Sequence, residues 1–334
     1  MRFAILLALA LVRYVWVEER ASGPDSPMVQ VLRDEVAGLE AAVAESQGGE
    51  LSSLRVHVNG RWMETLYKAR DYTSPEGWRG KAPWLWPATG RNVDPGVKGS
   101  GYRWRGRYYP MPAHGFVRDM AWKRLDAGAG EAGAYVTVCV TDTEETRKSY
   151  PFGFRVTAEY RLAEGSLAIT FTVAASPKNR AGMFFSAGNH ITFRVPLLEG
   201  TEPGDMRFET PSTVEYLKDP LGIPSGQTRP LSYPRAVPLA EIPPLSAVSL
   251  GGYAGEPYMV LGDPRGLNIR ITHSASLIPE PPVILFNVWG DPVQGFFSPE
   301  PWVGLQNSFN LQKGLVRLRP GGIWTWKIEI RPDR

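Results

Sequence analysis

The stretch FRVTAEYRLAEGSLAITFTV, residues 154–173, decides the fold class. Phe154, Val156, Ala158, Tyr160 and Leu162 alternate with Arg155, Thr157, Glu159 and Arg161. After the AEG turn, Leu167, Ile169, Phe171 and Val173 alternate with Ala168, Thr170 and Thr172. A period of two sends successive side chains to opposite faces of an extended chain, and two such runs across a short Gly-containing turn make a hairpin. The same period occurs upstream, with Val136, Val138 and Val140 opposite Thr137, Cys139 and Thr141. It returns near the C-terminus, with Trp324, Trp326, Ile328 and Ile330 opposite Thr325, Lys327 and Glu329. Antiparallel strands with one apolar face need a second sheet to cover it. The expected architecture is therefore all-β, a large antiparallel β-sandwich.

Other stretches read less simply. VLRDEVAGLEAAVAE, 31–45, spaces its apolar residues by three and four and looks locally helical, with Gly38 as an interruption. YRWRGRYY, 102–109, reads as a hairpin about Gly106 with its arginines on the wet face, rather than as a basic, aromatic strip for nucleic acid. TDTEETRKSY, 141–150, reads as a solvated turn. Residues 198–257 are rich in proline, and a structureless loop of that length is unusual, so short strands are expected within it.

At the N-terminus Met1-Arg2 precedes ten apolar residues, Phe3 to Val12, and then Arg13. That pattern resembles a secretory signal and is too short to span a membrane. Ala21 and Ser22 are the small residues nearest a cleavage site. The expectation is a periplasmic or secreted protein, with a cytoplasmic one as the alternative. Residues 1–22 form the apolar segment, 23–30 (GPDSPMVQ) a linker, and 31–332 a single domain.

Composition narrows the function. The net charge of the 334 residues is +3 and no long Lys/Arg block occurs, which argues against a nucleic-acid partner. Cys139 is the single cysteine, so no intrachain disulfide and no Cys-based zinc site can form. HExxH, P-loop and GxSxG motifs are absent. No metal and no cofactor are expected.

Candidate chemistry lies in broken, aromatic segments. APWLWPATGRN at 82–92 and PMPAHGF at 110–116 place prolines beside aromatic side chains, with Arg91 and His114 as polar groups. Flat apolar faces and a few fixed hydrogen bonders suit a small-molecule sugar. Of the four histidines, His57 in LRVHVNG falls on the outward face of a strand, and His273 at the end of NIRITHS is expected to be exposed. His114 and His190 each sit at a Gly-containing break, AHGF and GNHITF, where a side chain can turn into a cleft. Glu300 lies between Pro299 and Pro301. Read locally it is either an exposed glutamate in a Pro-rich turn or a carboxylate held in one orientation by its neighbours.

Together these segments resemble the aldose 1-epimerase (galactose mutarotase-like) family. The likeness rests on PMPAHGFVRDMAW at 110–122, DTEETRKSYPFGF at 142–154, FSAGNHITFRVPL at 185–197 and PEPWVGLQN at 299–307. GGELSSL at 48–54 resembles the family's opening strand turn and argues for strands where the local pattern reads helical. The resemblance implies a galactose mutarotase-like supersandwich. It also implies His190 as general acid, Glu300 as general base, and Arg91 and His114 as binders of sugar hydroxyls, without metal or cofactor. One departure stands out. The family commonly grips the sugar with a central Asp, whereas PLAEIPPLSAVSLGG at 238–252 has none, with Glu241 as a conceivable substitute. Besides a mutarotase for free hexoses, two readings stay open: a hexose-6-phosphate epimerase using Arg118 or the arginines at 103–107, and a non-catalytic carbohydrate-binding protein.

Overall fold

The 154–173 stretch folds as its alternation requires. Strands Phe154–Ala163 and Ser166–Ala175 pair antiparallel, with Leu162 opposite Leu167 and Ala163 opposite Ser166. Glu164 and Gly165 form the two-residue turn, both at positive φ (51° and 73°), the twist that suits right-handed strands. The apolar set is buried throughout, and Ile323–Asp333 extends the sheet while burying Trp324, Trp326, Ile328 and Ile330. The computed structural model describes residues 15–21, 27–72, 80–219, 224–231, 236–280 and 283–334.

Three antiparallel sheets carry the fold, of nine, eight and five strands. One hydrophobic cluster joins them, drawing Phe171 and Trp326 from the first, Phe286, Val288 and Phe297 from the second, and Leu32 and Leu54 from the third. Trp84, on the short Trp84–Leu85 strand of the eight-stranded sheet, packs 4.4 Å from Phe171 and 6.0 Å from Trp326, ring centre to ring centre. Each such fully buried aromatic or aliphatic side chain stabilises by about 1.5–3 kcal/mol. The antiparallel β-sandwich expected from the sequence is the architecture observed.

Several local expectations change. The helix-like pattern at 31–45 is a hairpin of Met28–Asp34 and Leu39–Ala44, turning at Gly38 (φ 57°). Every residue of Leu39–Ala44 is buried, so both faces of that strand meet protein, whereas a helix would bury only one stripe. The solvated turn at 141–150 contains a helix, Glu144–Ser149. Thr143 caps it: its hydroxyl accepts from the Thr146 N–H at 3.2 Å, and the Thr146 hydroxyl accepts from the Thr143 N–H at 2.8 Å. His273 is buried, not exposed, and accepts a hydrogen bond at Nδ1 from the Trp326 indole at 3.2 Å.

Other expectations hold. Gly101–Trp104 and Arg107–Pro110 form the hairpin about Gly106, with Arg103, Arg105 and Arg107 exposed. The Pro-rich region contains the short strands Arg207–Glu209, Val214–Lys218, Ala236–Pro238 and Val248–Gly251. Val15–Ala21 is an edge strand paired with Met28–Asp34, so residues 28–30 of the expected linker are strand; residues 1–14 and 22–26 lie outside the described residues. Among the described residues no helix is long and apolar enough to cross a membrane.

Candidate active site

The site forms where one strand lacks a neighbour. Phe296–Val303 pairs along its whole length with Ile284–Asp291. On its other side, among the described residues, it is paired only near its ends, by Ala187–Asn189 (at Trp302 and Val303) and by Phe193–Arg194 (at Phe296 and Phe297). Residues 190–192 depart from the ladder between those contacts, which leaves residues 298–301 unpaired on that side. Pro299 and Pro301, having no N–H, can occupy such a strand without forfeiting a ladder bond.

Glu300 is therefore a strand residue, 1% exposed, and not part of an exposed turn. Its Oε1 accepts from Asn287 Nδ2 at 3.0 Å and its Oε2 from Trp302 Nε1 at 3.1 Å. Asn287 Oδ1 in turn accepts from the Ser249 hydroxyl at 3.0 Å. The Trp302 indole lies over Gly188, where an added Cβ would sit 2.6 Å from Trp302 Cδ1; only glycine leaves that space.

His190 follows the Ala187–Asn189 strand and is anchored by its own N–H, which donates to the Pro83 carbonyl at 2.9 Å. Its Nδ1 lies 3.3 Å from the Thr192 hydroxyl, which is also 2.9 Å from the Ser298 hydroxyl. Its Nε2 lies 3.6 Å from Glu300 Oε1, beyond an ordinary hydrogen bond but within strong charge interaction. The edge of Trp289 covers the ring at 5.5 Å between centres.

His114 closes a third side, 5.8 Å from the His190 ring and 6.2 Å from Trp302. It sits at φ 67°, and the Gly90 N–H donates to its Nδ1 at 3.1 Å. The neutral ring then carries its proton on Nε2, leaving that N–H as the donor available to a ligand. Gly115 (φ 71°) lets the loop close, because a Cβ there would lie 2.1 Å from the Trp86 carbonyl oxygen. Arg91, next to Gly90, is exposed, and its charge helps depress His114.

Burial dominates the electrostatics. It holds His190 down at about 3, assisted by the positive charge of Arg118, and pushes Glu300 up to about 8. The Asn287 and Trp302 hydrogen bonds and the Lys218 ammonium oppose the shift of Glu300. His114 is held well below the ordinary imidazole value, first by burial, then by His190, Arg118 and Arg91. Between about pH 3 and 8 the His190–Glu300 pair thus holds one proton, on the carboxyl. An imidazolium–carboxylate pair holds the same number and differs only in where the proton sits. A single mobile proton between a donor and an acceptor is what acid–base catalysis needs.

The structure brings His190, Glu300 and His114 together, with Arg91 on the His114 side. Glu241 does not replace the central Asp: it is exposed on the short turn Leu239–Glu241. From the same stretch Ser249 reaches the site instead, through Asn287. Arg103 is exposed and paired with Asp94 at 2.7 Å, whereas Arg118 acts on both site histidines. Sequence reasoning missed Thr192, which lies within the 185–197 motif, and Asn287, Ser249, Ser298 and Lys218, which lie outside the quoted motifs. Lys218, half-buried, donates to the Ala247 carbonyl, and its charge reaches Glu300.

The fold recurs in solved structures. A galactose mutarotase-like protein from Clostridium acetobutylicum superposes with a TM-score of 0.78 at 19% identity, over 96% of this chain and 99% of that one. A protein from Synechocystis sp. PCC 6803 gives 0.74 at 20%, over 92% and 96%. Galactose 1-epimerase from Lactobacillus acidophilus NCFM gives 0.70 at 12%, over 96% and 99%. No curated protein sequence matches the chain. The aldose 1-epimerase family profile matches residues 29–236, a span that includes Arg91, His114 and His190, and on that match the chain belongs to the aldose 1-epimerase family.

Proposed function

We propose that the protein interconverts the α and β anomers of a free hexose or related aldose, with His190 and Glu300 moving the protons. The observation that carries this reading is the pair itself: an imidazole and a carboxyl 3.6 Å apart, both buried, holding one proton between them. Ring opening requires a base to take the proton from the C1 hydroxyl while an acid protonates the ring oxygen as its bond to C1 breaks. Rotation about C1–C2 turns the other carbonyl face to the C5 hydroxyl. Closure then runs the two transfers in reverse, so each group serves once as acid and once as base. The family assignment starts with His190 as acid and Glu300 as base. The hydroxyl dipoles of a bound pyranose would favour that charged form over the neutral one of the empty cleft. His114 Nε2–H and Arg91 supply donors for sugar oxygens. Positioned proton transfer of this kind contributes about 10²–10⁴-fold.

Arg118 supports a second reading, an epimerase for hexose 6-phosphates, because its charge already acts on both site histidines. Polarimetry separates the possibilities. Purified protein should speed the decay of optical rotation in fresh α-glucose or α-galactose, and His190→Ala and Glu300→Gln should each remove the gain. Acceleration confined to 6-phosphates would select the second reading. Spontaneous rates across a panel of aldoses and their phosphates would leave a sugar-binding protein.

A further inference from the structure

The eight-stranded sheet carries a row of side chains that leads away from the reacting pair into protein. Tyr216 faces Ser249, Ser249 faces Asn287, and Asn287 faces Glu300, as register partners on four neighbouring strands. Cross-strand partners share a face, which is why the last three can touch. Ser249 and Asn287 are each 4% exposed, so water does not readily replace either partner.

Hydrogen-bond valence fixes the direction of this row. The charged form of Glu300 can only accept, and Asn287 supports that form by presenting its amide N–H at 3.0 Å. Its amide oxygen then points the other way and needs a donor, which the Ser249 hydroxyl provides at 3.0 Å. That donor distinguishes the two ends of the amide. A turned amide would aim its oxygen at the carboxylate and repel the charged form. Trp302 holds the second oxygen, so two donors together set the carboxyl plane and leave Oε1 facing His190. Ser249 also lies in the 238–252 stretch, which lacks the expected sugar-gripping Asp. Its short side chain spends its donor on protein.

We propose that Ser249 and Asn287 are positioning residues, a hydrogen-bonded relay across three strands that orients the Glu300 carboxyl toward His190. The inference rests on the mutarotase reading for its kinetic consequences only. The titratable groups acting on Glu300 are His190 at 3.6 Å and Lys218, with Arg118 acting through His190.

The test uses Ser249→Ala, Ser249→Thr and Asn287→Leu in the full chain. Titration of Glu300 is followed by carboxyl ¹³C NMR of glutamate-labelled protein, the signal being assigned with Glu300→Gln. Losing a donor to the anion raises the midpoint, by about one pH unit for Asn287→Leu and about half a unit for Ser249→Ala. The alkaline limb of the kcat/KM profile should move up by the same amounts, with kcat reduced and KM little changed. Ser249→Thr, which keeps the hydroxyl, should restore the wild-type midpoint. If Asn287→Leu does not fold, the Ser249 pair decides alone. An unchanged midpoint in Ser249→Ala overturns the relay. So does a raised KM with intact kcat, which would put Ser249 on the sugar. A wild type that accelerates no sugar overturns the proposed function, and the NMR titration still decides the relay.

Discussion

Two buried glutamates of this protein are held in opposite ways. Glu40, fully buried in the five-stranded sheet, receives Arg33 at 3.0 Å, Arg55 at 3.2 Å and Arg70 at 3.1 Å. Arg33 also stacks over Trp62, 4.2 Å from the ring centre. Glu300 is as deeply buried, yet its direct hydrogen-bond donors are an amide and an indole. Guanidiniums replace the hydration that Glu40 loses, and its contacts tie three strands or loops of the scaffold together. Neutral donors compensate Glu300 only in part, and it is left poised to take up a proton. The kind of partner, more than the depth of burial, separates scaffold from site.

Exchanging the outcomes of the two positions is the most direct way to break this contrast. Glu300→Gln should reduce anomer interconversion to the spontaneous rate, a loss of about 10²-fold or more, while the protein stays folded. Glu40→Gln should retain activity per folded molecule but lose about 3 kcal/mol of stability, because Arg55 and Arg70 lose the carboxylate that faces them and Arg33 is left with Glu35 only. Urea unfolding alongside polarimetry reads both. A Glu300 variant that unfolds, or a Glu40 variant that is stable and inactive, would end the distinction.

Stability against pH sharpens it. Glu300 ordinarily titrates near 4.5 and is pushed up to about 8 in the folded protein. Between those values the native state binds a proton that the unfolded chain has released, so stability falls as pH rises through this window. Glu300→Gln removes that loss and should raise Tm relative to wild type at pH 8, with little difference at pH 4.5. His190 runs the other way. Held at about 3 against an ordinary 6.5, it costs stability as pH falls from 6.5 toward 3, and His190→Asn should flatten that limb. Calorimetric scans across pH 4–9 test both signs.

Smaller effects belong to the walls. Trp302→Phe keeps the apolar cover but removes the indole donor, and should raise the alkaline limb of the activity profile by about one pH unit. Arg91→Ala, at an exposed position, should raise KM several-fold with kcat nearly unchanged. Michaelis constants for glucose and galactose check that split, and a fall in kcat alone would move Arg91 into the reacting group.

The period-two pattern made the sheets legible, because burial on one face is written locally. It also contained the answer for His273, which continues the buried face of Ile269 and Ile271. Treating the strand as ending there hid it. Residues 31–45 misled because both strands bury both faces, which erases alternation and lets small apolar residues imitate a helical stripe. His190, Glu300, His114 and Arg91 stand in motifs that single them out in the sequence. Ser249 and Asn287 could not be singled out, since their meeting depends on the register of strands 38 positions apart in the chain. Residues 141–150 concealed a helix one and a half turns long, held by a threonine pair too short to register as a periodic signal.

The unpaired side of residues 298–301 has a consequence for how this protein can change. Ladder bonds at both ends clamp the opening, so residues 190–192 span it like a bridge whose abutments are fixed. His190 on that bridge is committed to the reacting pair and Ile191 and Thr192 are buried, so the positions that can reshape what the opening admits without loosening the sheet are Pro112 and Ala113 on the facing loop. Sugar preference can drift there while the architecture stays put.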